Sequence, residues 1–313
     1  MNTAPQPLQT GLKALTSTQE KILHAFGEVV PFATATDITR LLGLKQGSKA
    51  YVRSLMTDLA GGGDHRNHYL VRFGRPTAPG NCERIYTLGS RGRAFLRERG
   101  REVAWWYRPQ KASPYSFSFW KHHLSVSQVL VAIHLFVRGC PEYQLVETRT
   151  GFAIARNPPR VRLEVDGEDT SASVIPDAWV YIERSQQEPS ATQGFALWIE
   201  VDCGTEAKAK FQHLVRQRLM LLRSGQYEAY FATPACLFCY LAVGATSDYR
   251  LDRLHTMRLW TAEVLAEVKL EDWSSVFRFS TIDECLYDSL MLFTDAVWFR
   301  PDEDSLVPLF PTP

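Results

Sequence analysis

Between residues 17 and 59, apolar side chains return at helical spacing three times, with breaks so short that the segments must pack on one another. Ile22, Leu23, Phe26, Val29 and Val30 form the first stripe, with Ser17 or Thr18 available as its N-cap. Thr36-Asp37 opens the second, which holds Ile38, Leu41 and Leu42 and stops at Gly43 as a helix C-terminus does. After the turn at 44–47, Ser48 stands where an N-cap belongs for a third helix; its stripe is Val52, Leu55, Met56 and Leu59, and Gly61-Gly62-Gly63 ends it. Two short helices joined by a tight glycine turn are the helix-turn-helix arrangement. Strand-like runs at 69–73 and 84–88 flank the turn-rich segment 74–81, so a β-hairpin, or wing, completes the unit.

Charge divides the chain near the end of this unit. Residues 1–114 carry 17 Lys and Arg against 8 Asp and Glu, net +9, whereas residues 115–313 carry 18 against 26, net −8. The overall +1 conceals both. A cationic unit on a neutral protein is the electrostatic footprint of docking on phosphate, because Lys and Arg release condensed counterions when they neutralise it. Double-stranded DNA is therefore the expected partner. With the third helix in the major groove, Lys49 and Arg53 share a face one helical turn apart and Lys45 sits in the turn before them. Arg72, Arg75 and Arg84 on the hairpin would reach phosphate or the minor groove, and Ser48 and Tyr51 would add polar backbone contacts. The competing reading is a solvated basic helix face.

No run of about 18 uncharged apolar residues occurs, and residues 1–10 are polar, so neither a membrane span nor a secretory leader is expected and the location is read as cytoplasmic. Six scattered cysteines suit a reducing compartment, and Cys236 and Cys239, inside an apolar run, read as buried strand thiols. The expected organisation is a flexible N-terminus at 1–14, the basic domain at 15–100, an aromatic connector at 101–120, an α/β domain at 121–300 and a proline-containing loose tail at 301–313. Trp105, Trp106 and Trp120 in the connector read as rings docked between domains, with a base-stacking platform as the alternative. Beyond it come a helix at 122–137, strands at 143–148, 152–155, 161–165, 174–182 and 195–202, a helix at 205–224, a strand at 236–243 and a helix at 248–268. Short elements at 277–279, 282–292 and 296–299 follow. This alternation implies an α/β sandwich.

Acidic residues gather where two of those strands begin and end. Asp177 precedes an apolar run, and the strand Ala196-Leu197-Trp198-Ile199 delivers Glu200-Val201-Asp202, with Glu200 and Asp202 on one face by the period of two. If the two strands pair, Asp177 joins them. Three clustered carboxylates need a cation, a proton or basic side chains as compensation. Oxygen ligands of this kind suit Mg²⁺ or Mn²⁺, with Asp177, Glu200 and Asp202 as the metal set; paired instead with Lys208, Lys210 or Arg216, the same residues form an ion-pair network.

The run Ile85-Tyr86-Thr87-Leu88-Gly89 with its following helix resembles the end of bacterial winged-helix domains. Together with His122/His123-Leu124, Pro176-Asp177 and Glu200-Val201-Asp202-x-Gly204-Thr205-Glu206, it makes the chain resemble the PD-(D/E)xK nuclease superfamily. More closely it resembles the replication-relaxation proteins of plasmids and mobile elements, over most of residues 15–245. The resemblance implies an N-terminal winged helix-turn-helix followed by a PD-(D/E)xK-like, restriction-endonuclease-like α/β sandwich. It also implies that Asp177 and Glu200 would bind metal and a lysine would support the nucleophile. Here Asp202 occupies the lysine position, which leaves Lys208 or Lys210 to supply a displaced cation. The function so implied is sequence- or structure-dependent DNA binding in replication or mobilisation, with a protein partner from a replication, mobilisation or transposition complex and a nuclease-like domain that recruits partners or acts on DNA. One alternative is an Mg²⁺- or Mn²⁺-dependent endonuclease using Asp177, Glu200, Asp202 and Lys208 or Lys210. Another is a transcriptional regulator that binds as a homodimer.

Overall fold

A computed structural model of the chain describes residues 15–61, 68–74, 83–108, 117–165, 168–185, 192–204, 206–283 and 291–310. The expected flexible N-terminus 1–14, Arg75 and most of the hairpin turn lie outside the described residues.

The first helix, α1 (Ser17–His24), runs into a π-helical turn at Ala25–Val29. Its cap is Thr16, which closes a capping box with Gln19, rather than Ser17 or Thr18. Strand β1 (Phe32–Ala33) leads to α2 (Ala35–Leu41), capped by Thr34 with Asp37 reaching back to the Thr34 amide. A 3-10 turn at Gln46–Ser48 feeds α3 (Lys49–Ala60), and Ser48 makes no capping bond. Strands β2 (Leu70–Phe73) and β3 (Ile85–Leu88) pair antiparallel, and β1 adds to the far edge of β3, so the order is β1-β3-β2. Helix α4 (Ser90–Glu98) then packs Leu96 inward, against α1 and the sheet.

The larger unit is a mixed α/β architecture in three layers. Helix α5 (Phe117–Gly139) begins five residues before the expected start at 122 and covers one sheet face. The strands are β4 (Tyr143–Thr150), β7 (Ala178–Ser185), β8 (Thr192–Asp202), β9 (Leu237–Ala242) and β10 (Phe277–Thr281), in the order β10-β9-β8-β7-β4. Strands β8, β9 and β10 are parallel; β7 and β4 run antiparallel to their neighbours. The crossovers after β8 and β9 are made by α7 (Lys208–Arg223) with α8 (Gln226–Phe231) and by α9 (Ser247–Val268), which cover the other face. Alternation along β8 feeds both cores. Leu197, Ile199 and Val201 enter the α5 side, while Ala196 and Trp198 enter the α7/α9 side with Phe211, Val215 and Tyr240.

Three sequence expectations change. Residues 152–155 are not a strand: α6 (Gly151–Ile154) is a helical turn, because an apolar run this short carries no period that separates helix from strand. A separate two-stranded hairpin of β5 (Arg160–Val165) and β6 (Glu168–Ser173) appears, whose second strand, Glu-Asp-Thr-Ser-Ala-Ser, has no apolar alternation to betray it. The loose tail is corrected as well. Val307 bridges Trp298, and Phe310 is 1% exposed, packed on Phe136, Tyr143, Phe195 and Phe293, so the chain is fastened as far as residue 310.

The two units share a continuous core. Phe32 sits among Trp105, Phe119, Trp120, His123 and Phe152, with ring centroids 5.2–6.2 Å away. Arg138 of α5 donates to the carbonyls of Arg40 and Leu41 at the exposed end of α2. Cys236 and Cys239 are buried in β9 and its approach, and burial pushes the Cys239 thiol up to about 12, so both are inert packing groups. Among the described residues, no helix is long and apolar enough to cross a membrane.

Candidate functional site

Asp177 is held at the mouth of the sheet by its own backbone. Its N–H donates to the Ile199 carbonyl (3.1 Å), extending the β7–β8 ladder by one residue, and its Oδ2 accepts from the Val201 N–H (2.8 Å). The other carboxylate oxygen faces α5, where His122 Nε2 donates to Oδ1 at 2.9 Å. Glu200 and Asp202 project from the C-terminal end of β8 on the α7/α9 side, as their spacing demands. Glu200 Oε1 accepts from Trp198 Nε1 (2.5 Å) and from Arg218 Nε (3.1 Å), with Arg218 Nη2 closing a tighter contact to the same oxygen. Asp202 receives the Arg253 fork, Nε to Oδ1 at 2.8 Å and Nη2 to Oδ2 at 2.7 Å. The Gly204 N–H also donates to Oδ1, from a left-handed turn at φ 79° that favours glycine. A cavity of about 190 Å³ opens here, lined by His122, Asp177, Glu200, Asp202, Cys203 and Arg218 among others.

The electrostatics follow from burial and pairing. Burial opposes charge on His122, but its bonds to Asp177 and Cys203 outweigh this and lift it to about 10. Its neighbour His123, buried among aromatic rings and repelled by His122, falls to about 3. Glu200 is pushed up to about 7 by burial, against the opposing pull of Arg218 and with Asp177 adding to the rise. The Arg218 side chain is 4% exposed; burial alone would lower its proton affinity, but the charge of Glu200 raises it.

The sequence reading brought Asp177, Glu200 and Asp202 to one corner, and they do line one cavity. Their partners are not the expected lysines. Lys208 pairs with Glu263 at 2.7 Å, Lys210 with Glu206 at 2.7 Å and Arg216 with Glu267, so none of the three reaches the carboxylates. The compensating cations are His122, Arg218 and Arg253. Three carboxylates thus face three cationic side chains, and among the described residues no three His, Cys, Asp or Glu groups converge as a metal cage. The residues present do not fit a divalent ion: at Asp202 Oδ1 already accepts two protein hydrogen bonds and Oδ2 one, and Glu200 is locked to a buried guanidinium.

The expected duplex-facing residues lie on the first unit. Lys45, Tyr51, Arg53, Arg72 and Arg84 are exposed, with Tyr51 at 52%, and Ser48 is half-buried. Lys49 lies 3.3 Å from Glu83, whose carboxylate also accepts from the Thr36 amide and hydroxyl. Arg75 lies outside the described residues.

A family model described as replication-relaxation matches residues 28–234, about two thirds of the chain. The chain belongs to the replication-relaxation family. The matched span covers most of the basic unit, the whole of α5, and every carboxylate of the cavity, so both candidate surfaces lie within the replication-relaxation match. Of the cations described above, His122 and Arg218 fall inside the match and Arg253 beyond it. No curated protein and no solved structure matches the chain.

Proposed function

We propose that this replication-relaxation protein binds double-stranded DNA of a plasmid or other mobile element, in replication or mobilisation. In this reading the first unit works as a winged helix, and the sheet unit is a PD-(D/E)xK-type scaffold that serves assembly rather than metal-dependent cutting. Family membership supports the replication and mobile-element role. The observation that carries DNA binding is the exposed basic face of the third helix. Arg53 and Tyr51 stand free of the core, Lys45 and Lys49 flank them, and Arg72 and Arg84 project from the hairpin. A helix presenting cations from its N-terminal half is the part that enters a major groove.

Duplex binding measured by fluorescence anisotropy across a salt series tests this directly. Each phosphate contact adds about 0.9 to the slope of log K against log salt. Lys49→Ala with Arg53→Ala is expected to weaken binding and flatten the slope by about two units. Because Lys49 must exchange Glu83 for phosphate, Glu83→Gln is expected to tighten binding modestly. A double variant with the wild-type slope would remove α3 as the docking face.

The sheet unit has its own test. Supercoiled DNA incubated with the protein and Mg²⁺ or Mn²⁺ is expected to stay uncut, because resident guanidiniums and His122 already neutralise the carboxylates. Nicking that disappears in both Asp177→Ala and Glu200→Ala would establish the nuclease instead.

A further inference from the structure

A second concentration of positive charge lies away from the carboxylate cavity, and neither the fold nor the core accounts for it. Arg93 and Arg97 project from α4, Arg101 and Arg108 come from the connector, and Arg156 comes from the turn after α6. Four of them, Arg93, Arg97, Arg101 and Arg156, line one open cavity of about 360 Å³ that contains a single carboxylate, Glu102.

Two arginines here are satisfied in ordinary ways, and one of them, Arg101, also lines the cavity. Arg99 lies 3.4 Å from Glu20 and stacks on Phe95, and Arg101 lies 3.3 Å from Glu28. By contrast, Arg93, Arg97, Arg108 and Arg156 have no carboxylate at ion-pair distance among the described residues. Burial and the neighbouring charges of Arg97, Arg108 and Arg156 all lower the proton affinity of Arg93.

Three of the guanidiniums are nevertheless held in place. Trp106 carries two of them, with Arg93 Cζ 3.6 Å and Arg108 Cζ 3.8 Å from the ring centroid. Arg156 is pinned by hydrogen bonds from Nη2 to the carbonyls of Val103 and Ala104. The Nε of Arg108 is buried without an acceptor among the described residues. Forks fixed in advance lose little freedom when an anion arrives, and their planar donors match the paired oxygens of a phosphodiester. Like charges crowded and immobilised around an open cavity are the arrangement that a polyanion relieves.

We propose that this arginine cluster is a second DNA-backbone site, taking the phosphodiesters of the same duplex that the third helix engages. The site rests on the DNA-binding reading above and extends it. Arg156 belongs to the sheet unit and the other four to the basic unit and its connector, so the duplex would be gripped across the junction between the two units. DNA bound there would hold the sheet unit in a fixed orientation on the helix axis, which a lone winged helix does not do.

The experiment uses the full chain and a duplex long enough to extend beyond the helix-turn-helix contact, again in a salt series. Arg93→Ala with Arg97→Ala is expected to lower affinity and to reduce the salt slope by about two units, independently of the Lys49→Ala/Arg53→Ala loss. Arg97→Glu, at an exposed position with no ion-pair partner among the described residues to lose, is expected to weaken binding on its own, which keeps the test clear of misfolding. Arg93→Lys with Arg97→Lys keeps the charge and is expected to keep most of the slope. Wild-type affinity and slope in both the alanine pair and Arg97→Glu, while the Lys49→Ala/Arg53→Ala pair still fails, would overturn the second site and leave the first intact. A wild-type chain that binds no duplex at low salt would overturn both.

Discussion

Arg218→Ala is expected to destabilise the fold by about 3–5 kcal/mol at pH 8, the loss typical of stranding a buried charge. Glu200 projects to the α7/α9 side with its Oε1 turned to Arg218 and Trp198, and Arg218 is its cationic hydrogen-bond partner among the described residues. The loss depends on pH, and its sign follows from Glu200. Its folded value, about 7, lies above its ordinary 4.5. The native state therefore holds the proton more tightly, and stability falls as pH rises between those values. Removing Arg218 takes away the largest interaction that pulled Glu200 down, leaving the Trp198 hydrogen bond, and widens that window upward. Urea unfolding at pH 5 and pH 8 should show a smaller deficit at the lower pH, where Glu200 can protonate. Glu200→Gln in the Arg218→Ala background should recover most of the difference at pH 8, because a neutral amide costs far less to bury. Equal deficits at both pH values, with no recovery from Glu200→Gln, would show that Arg218 acts through packing alone.

The same pair shows what the sequence could reveal and what it could not. Strand β8 was expected at 195–202 and forms at 192–202, and α9 was expected at 248–268 and forms at 247–268, because apolar period and local caps act within a few residues. The acidic corner was legible for the same reason: alternation fixes Glu200 and Asp202 on one face, and Asp177 immediately precedes the strand that pairs with theirs. Its cations were not. Arg218 did leave a signal, since it lies in the buried stripe of α7 with Phe211 and Val215, where an apolar residue belongs. An arginine out of place on a buried helix face announces a buried acid. Arg253 left none, being 51 residues from Asp202 and brought to it only by the parallel crossover after β9. The π turn that ends α1 was also invisible, for its apolar residues Phe26 and Val29 fit an uninterrupted helix equally well. The aromatic connector gave a composition but not the arginine stacking on Trp106, which needs α4 folded back beside it.

Asp177→Asn is expected to change His122 more than any other group in the molecule. With the carboxylate present the ring is raised to about 10 and stays protonated at neutral pH. Burial is the largest influence on the ring and acts in the opposite direction, so the amide variant removes the larger counterweight and leaves Cys203 alone against the penalty. Imidazole ¹⁵N shifts followed through a pH titration should show His122 titrating near 10 in the wild type and below its ordinary 6.5 in the variant. The stability consequence has a definite sign. A histidine raised on folding contributes fully below 6.5 and loses that contribution as pH climbs through about 10. Asp177→Asn should therefore cost most near pH 6 and least above pH 10. Val201 separates this from a general loosening of the strand end: its N–H keeps an acceptor in the asparagine carbonyl, so its amide should remain protected from hydrogen exchange while the His122 titration moves. A ring that still titrated near 10 without the carboxylate would assign its charge to Cys203 instead, the other group that stabilises the imidazolium. In either case a fixed imidazolium beside Asp177 does the compensating that a metal ion would otherwise do at this corner, which ties the charge state of one histidine to the absence of cutting expected of the sheet unit.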